Sequence, residues 1–168
     1  IESSSGKLSV GLMKEESFSE LHSEKINDTA NSLPQLSKKI INNASLSFEN
    51  LDAICISSGP GSFTGLRVGM SYAKGIAMAL DIPIVPVSTF DSLAYKNTSE
   101  KLFALIYSHG NTFYICEYSL DDGILLKSSE PKSILKENVL ELSRKIFLNG
   151  PTNIFEYLKK NNLKIEFN

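Results

Sequence analysis

The residues with the clearest chemical potential run without a gap: Gly59-Pro60-Gly61-Ser62-Phe63-Thr64-Gly65-Leu66-Arg67-Val68-Gly69. They follow an apolar run at 53–57 and open a glycine/alanine-rich helical pattern that reaches Leu80. A glycine turn between a strand and a helix aims backbone N–H groups outward from the helix start, which suits an anion or a close-packed neighbour. The two commonest phosphate motifs do not fit. A dinucleotide fingerprint would need glycine where Thr64 stands, and the next strand ends at Ser88 rather than in a ribose-binding acid. A P-loop needs a lysine directly after its last glycine, and Leu66 follows Gly65. Nor is Gly61-Ser62-Phe63 a nucleophile elbow; Ser62 is better read as a helix N-cap.

The helix carries the second signal. At ~100° per residue, Gly65, Gly69, Tyr72, Ala73, Ile76, Ala77 and Leu80 share one face. Val68, Gly75 and Ala79 widen it on one side and Leu66 and Met70 on the other, leaving Arg67, Ser71, Lys74 and Met78 opposite. A helix laid on a sheet needs an apolar stripe of only ~100°, and this one is roughly twice that, which predicts a second covering surface. Small residues at i and i+4 permit close backbone approach, and their propensity cost, up to ~1 kcal/mol per glycine, must be offset by packing. The neighbour is either the chain's own sheet or a helix of another subunit. Arg67 opposes the helix dipole in the first turns; it is either solvated or aimed at an anion or a partner's carboxylate.

Several elements must position these residues. Ile1-Glu2-Ser3-Ser4 reads as the tail of a strand already under way, and strands at 8–13 and 18–21 complete an antiparallel meander with it. Ile26, Leu33, Leu36, Ile40 and Ile41 fall at helical spacing, with Pro34 kinking that helix or marking its start. A buried strand at 53–57 and a helix at 63–80 follow, the helix stopped by Asp81-Ile82-Pro83. A strand at 84–87 leads to Ser88, which caps a helix running to Tyr95. The polar segment 96–101 divides the chain into an N-terminal lobe, 1–95, and a shorter C-terminal lobe, 96–168. The second lobe reads as strands at 102–107, 113–118 and 124–127, a helix at 137–146, a strand at 147–148, a helix at 151–160 and a strand at 163–167. The class is α/β with mixed sheets.

Composition excludes some functions. The 168 residues carry a net charge of −2 with no basic block, which argues against a free-standing nucleic-acid binder. Cys55 and Cys116 read as small core residues of a reducing compartment rather than a disulfide framework. No secretion signal, long apolar run or lipidation motif is present, which predicts a cytoplasmic protein without membrane contact.

With these residues assembled, the chain resembles the TsaB (YeaZ) family. The hallmark is a GPGSFTGLR-type turn and helix, a glycine/alanine-rich stretch and a strand ending in Ser-Thr, here Gly59 to Arg67, Val68 to Leu80 and Ile84 to Thr89. The match is specific over 51–94 and weak after Tyr95; upstream, Ile1-Glu2-Ser3-Ser4 resembles the end of the family's first strand and Leu21-His22-Ser23-Glu24 the approach to its first helix. The resemblance implies an actin/sugar-kinase-like (ASKHA, ribonuclease H-like) fold of two lobes. It also implies a part in forming threonylcarbamoyl-adenosine next to the tRNA anticodon, as a non-catalytic relative of the TsaD transferase once classed with glycoproteases. The implied partners are a TsaD-like subunit, met through N-terminal-lobe helices, and a TsaE-like ATPase, with homodimers when isolated. ATP and magnesium would act at the level of the complex with no cofactor held tightly, and tRNA would be met only through it. The catalytic relative has two metal-binding histidines at i and i+4 on its first helix; here Ile26 follows His22 at that spacing, and His109 lies in a far-lobe loop. Ser108-His109-Gly110-Asn111 replaces the family's charged turn.

A scaffold reading places the partner interface on Leu33, Leu36, Ile40, Gly65, Arg67, Gly69, Tyr72, Ala73 and Ile76, with Lys74 at the rim, and assigns no catalytic residue. The alternative is a nucleotide-dependent enzyme of the same fold. Its phosphates would meet the turn at 3–6 and the N–H groups near Gly61, with Ser4, Gly61 and Ser62 as contacts and Glu2 the one acid for Mg²⁺. A glycopeptidase would need a paired metal site or a nucleophile–base set that these residues lack.

Overall fold

The structure is a computed structural model describing residues 1–95, 101–143, 145–161 and 163–167; most of the expected boundary segment, 96–100, lies outside them. The chain forms two compact units, Ile1–Ser88 and Thr89–Asn168.

In the first unit, β1 (Ser9–Lys14) and β2 (Ser17–His22) pair antiparallel, and β3 (Ile54–Gly59) and β4 (Ile84–Ser88) pair parallel. The N-terminal residues lie between the two pairs. Glu2 exchanges both backbone bonds with Ser9, while Ile1 donates to Cys55 (2.8 Å) and accepts from Ser57 (3.0 Å). The expected first strand is thus a short bridging segment, and the strands succeed one another as β2, β1, the N-terminal segment, β3 and β4.

Helix α1 (Thr29–Asn43) and helix α2 (Phe63–Leu80) cover this layer. Alternation along β1 turns Val10 and Leu12 inward, where they meet Leu33, Ile40 and Ile41 of α1. Ile54 and Ile56 of β3 meet Ala73 and Ala77 of α2. The sequence drew Ile26 into the first helix, but the helix starts at Thr29. Asn27 has φ +59°, a left-handed conformation that no helix continues, and Ile26 is left exposed. Pro34 lies inside α1 rather than at its start. Helix α2 has the bounds expected of it, with Asp81 left-handed (φ +55°) at its C-cap.

The second unit opens with α3 (Thr89–Tyr95), followed by β5 (Lys101–His109), β6 (Thr112–Asp121), β7 (Ile124–Lys127) and β8 (Lys132–Leu135). A short α4 (Lys136–Val139), β9 (Lys145–Asn149), α5 (Thr152–Lys160) and β10 (Ile165–Phe167) complete it. The strands form one mixed sheet in the order β10-β9-β5-β6-β7, with β8 continuing along the same edge of β6 as β7. Both faces are covered: Phe90, Leu93 and Ala94 of α3 pack on one, Val139 of α4 and Ile154 and Leu158 of α5 on the other. Helix α3 therefore belongs with this unit, although the sequence placed the division after Tyr95.

Two expectations fail here. The helix at 137–146 ends at Val139, and Ile146 joins Phe147 and Leu148 in β9. Parallel pairing with β5 buries all three, and that burial outweighs the helical spacing. Strand β8 was not foreseen.

Candidate functional site

The strand–glycine turn–helix centre of the first unit is built around its own N-terminal segment. Ser62 caps α2, its hydroxyl accepting from the Gly65 N–H at 3.2 Å, while the Ser62 N–H donates to the Ser4 carbonyl at 2.6 Å. The Ser4 N–H and hydroxyl both donate to the Glu2 carboxylate. Ser4, Gly61 and Ser62 thus come together as the anion reading requires. The Ser4 donors and the Ser62 N–H are already engaged by the chain itself, and one acceptor is a carboxylate, which repels a second anion.

Gly61 of the turn and Gly65 and Gly69 of α2 have a geometric explanation. A β-carbon on Gly61 would fall on the Ser4 carbonyl, one on Gly65 on the Ser3 carbonyl, and one on Gly69 on the Ser3 hydroxyl. Ser3 is fully buried and its hydroxyl has no hydrogen-bond partner among the described residues. The backbone that approaches α2 so closely is the chain's own segment at 3–4. Gly65, Gly69, Ala73 and Ala77 are the buried residues of the helix, and the larger side chains beside them stay half-exposed. Gly65, Gly69 and Ala73, read from sequence as interface residues, are therefore interior. So are Leu33 and Ile40, which lie in the core beneath α1.

What remains outward is a different set. Tyr72 and Ile76 are half-buried, packed against the cluster beneath α1 and the β3–α2 cluster respectively, and Leu36 is half-buried on α1. Arg67 is exposed, its guanidinium 3.8 Å from the centre of the Phe63 ring. Phe63 is 68% exposed and Met78 83%, and neither was singled out as an interface residue from sequence. The helical wheel already carried the signal for Met78, which it set beside Arg67 and Lys74. A β-carbon on Gly75 would meet nothing within 4 Å.

The histidines take no part in this. His22 ends β2 with Nε2 3.6 Å from the Glu20 carboxylate, rather than leading directly into a helix, so it and Ile26 share no helical face. His109 ends β5, bonded through Nδ1 to the Ser108 hydroxyl at 2.9 Å. Among the described residues, no three His, Cys, Asp or Glu side chains converge as a metal site would need. Cys116 is buried as expected, but Cys55 is exposed because β3 turns Ile54 and Ile56 to the core and Cys55 away from it. No described helix is long and apolar enough to cross a membrane.

Two α/β units with mixed sheets, the first centred on a strand, a glycine turn and a close-packed helix, define a protein of the actin-like (ASKHA) class. A solved structure, YeaZ from Pseudomonas aeruginosa, shares this fold with a TM-score of 0.75 over 87% of this chain and 72% of that one, at 22% identity. The TsaB protein of Escherichia coli strain K12, named for tRNA threonylcarbamoyladenosine biosynthesis, is 30% identical over 105 residues, 60% of this chain and 46% of the relative. A tRNA N6-adenosine threonylcarbamoyltransferase of Staphylococcus carnosus is 38% identical over 80 residues, 45% of this chain and 23% of that one. The family model for TsaD, tRNA N6-adenosine threonylcarbamoyltransferase, matches residues 18–168, and the chain belongs to that family, on its TsaB (YeaZ) side. The chain spans about half the length of the curated relatives it matches.

Proposed function

We propose that this chain is an accessory, non-catalytic subunit of the assembly that makes threonylcarbamoyl-adenosine in tRNA, and that it docks on a TsaD-type transferase through the outer faces of α1 and α2. The observation that carries this is the surface of α2. Its inner seam is filled by the chain itself, yet Phe63 and Met78 stand in solvent, and Tyr72, Ile76 and Leu36 are half-exposed. Large apolar side chains left exposed on a helix whose inner seam is filled support a protein contact on its outer side. The Glu2 carboxylate that holds the Ser4 donors beside the glycine turn supports an accessory rather than a nucleotide-hydrolysing role. ATP, magnesium and a TsaE-type ATPase then enter with the complex, and tRNA is met there.

The test is purification with the TsaD-type transferase of the same organism, followed by light scattering. A stable complex is expected for the wild-type chain. Phe63→Asp combined with Met78→Asp should abolish it while circular dichroism stays unchanged; an intact complex in that variant refutes the interface. Modified nucleoside produced by the chain alone, from tRNA and a threonylcarbamoyl donor, refutes the non-catalytic role.

A further inference from the structure

We infer that the free edge of β2 docks an extended, basic segment of another protein, which adds a strand to the first unit. The edge is distinct from the outer faces of α1 and α2, so this inference does not rest on the docking reading above. Backbone bonds fix which groups of β2 face out. Ser23 donates to the Leu8 carbonyl at 2.8 Å, and Ser9 exchanges both of its bonds with Glu2. Ser9 and His22 therefore face each other as a non-hydrogen-bonded pair. Alternation along the register makes Gly11–Glu20 and Met13–Phe18 pairs of the same kind. The N–H and C=O groups of Phe18, Glu20 and His22 consequently point away from β1, and none has a backbone partner among the described residues.

Native sheets discourage added strands with proline, lysine or bulges at their edges. Strand β2 has no proline or lysine, and its pairing with β1 runs without a bulge. The opposite edge is blunted. Ile54 donates to the Pro83 carbonyl at 3.0 Å, so in the parallel pairing position 86 of β4 turns its nitrogen outward, and Pro86 stands there with no N–H to offer. The side chains beside β2 set the chemistry of the incoming strand. Phe18 is 65% exposed, and Met13, across from it, 70%. The Phe18 ring lies over Gly11, where a β-carbon would come within 2.8 Å of it, so an apolar floor adjoins the edge. Between positions 14 and 22, Glu15, Glu16 and Glu20 are exposed against one lysine, Lys14, and the His22 ring lies 3.6 Å from the Glu20 carboxylate. Three carboxylates beside the open row favour lysine or arginine in the added strand and repel the phosphates of an RNA. Main-chain bonds then supply affinity, and alternate side chains supply specificity.

The experiment titrates the full, nitrogen-15-labelled chain with a short capped peptide that alternates valine and lysine, and follows each backbone amide by NMR and hydrogen exchange. Two further probes are a valine/glutamate peptide of the same length and the valine/lysine peptide N-methylated at every residue, which keeps its charge and loses every N–H. The expected result is a shift and added protection at the amides of Phe18, Glu20 and His22, with those of Val10 and Leu12 unchanged. Both further probes should bind at least about tenfold more weakly, one for want of hydrogen bonds and the other for its charge. Glu20→Pro removes an outward N–H without touching a bond to β1, and should abolish binding while Val10 and Leu12 stay protected; Glu20→Gln should weaken it. The N-methylated peptide keeps the test decisive should the proline variant fail to fold. Equal binding of the N-methylated or the acidic peptide overturns the inference, as do shifts confined to other elements. So does the absence of any shift on β2 at about millimolar peptide, the weak end of specific affinity. A dimer of the chain that Glu20→Pro dissociates assigns the edge to a second copy and also overturns it. None of these outcomes bears on the complex with the transferase.

Discussion

Gly65 and Gly75 occupy one helix for opposite reasons. A side chain at Gly65 would collide with the Ser3 carbonyl, which is backbone and cannot turn aside, whereas one at Gly75 would enter open space. Gly65→Ala is therefore expected to destabilise the chain by about 1–3 kcal/mol, the usual range for overpacking. Gly75→Ala should stabilise it by about 0.5–1 kcal/mol through helix propensity alone. Urea denaturation of both variants checks the pair, and equal effects would refute the packing account. The cysteines divide in the same manner. Cys55 is exposed on β3, while Cys116 is buried and burial pushes its thiol pKa up. A thiol reagent should label Cys55 in the native chain and reach Cys116 only after denaturation, because the thiolate is the reactive form. From sequence both cysteines read alike, since an apolar run does not state which of its residues faces out.

At the scale of elements, α3 is tied to β6 by a bond from the Tyr118 hydroxyl to the Asp91 carboxylate. Burial, and then that bond, hold the Tyr118 phenol far above its ordinary pKa. The sign follows from the proton. A group whose folded pKa is raised contributes stability that is whole below its unfolded pKa, about 10 for tyrosine, and lost as pH climbs beyond it. Tyr118→Phe should cost about 1–3 kcal/mol at neutral pH by leaving Asp91 without its donor. It should also flatten the alkaline fall in stability; thermal denaturation from pH 7 upward measures both effects. Other elements show where local pattern is sufficient. Helix α2 was legible to the residue because its cap, its spacing and its stop signal agree. Residues 137–146 were not, because Ile146, Phe147 and Leu148 serve a strand whose partner, β5, lies some forty positions earlier. Ile26 failed for a smaller reason: a left-handed Asn27 interrupts a spacing that otherwise continues.

At the scale of the whole molecule, each buried apolar cluster among the described residues lies within one unit, two in Ile1–Ser88 and two in Thr89–Asn168. Leu33 and Leu105 are fully buried in different clusters. Leu33→Ala and Leu105→Ala should each cost about 2–5 kcal/mol, the range for core truncations that leave a cavity. Hydrogen exchange should then show lost protection in β1 and α1 for the first, and in β5, β6 and β9 for the second. Unchanged protection in the truncated unit would refute its assignment as core. By itself the sequence determined the α/β class, the capped helix from Phe63 to Leu80, the family likeness over 51–94, and the presence of a close neighbour for the glycines. Those follow from local spacing and turn chemistry, which a linear pattern records. Only the tertiary structure decided what that neighbour is. Hydrogen bonds to Ser9, Cys55 and Ser57 lay the N-terminal segment between β1 and β3, and it fills the seam that could have received another subunit. The same packing leaves Phe63, Arg67, Lys74 and Met78 exposed on α2, and which side chains are left over is set by contacts between distant residues.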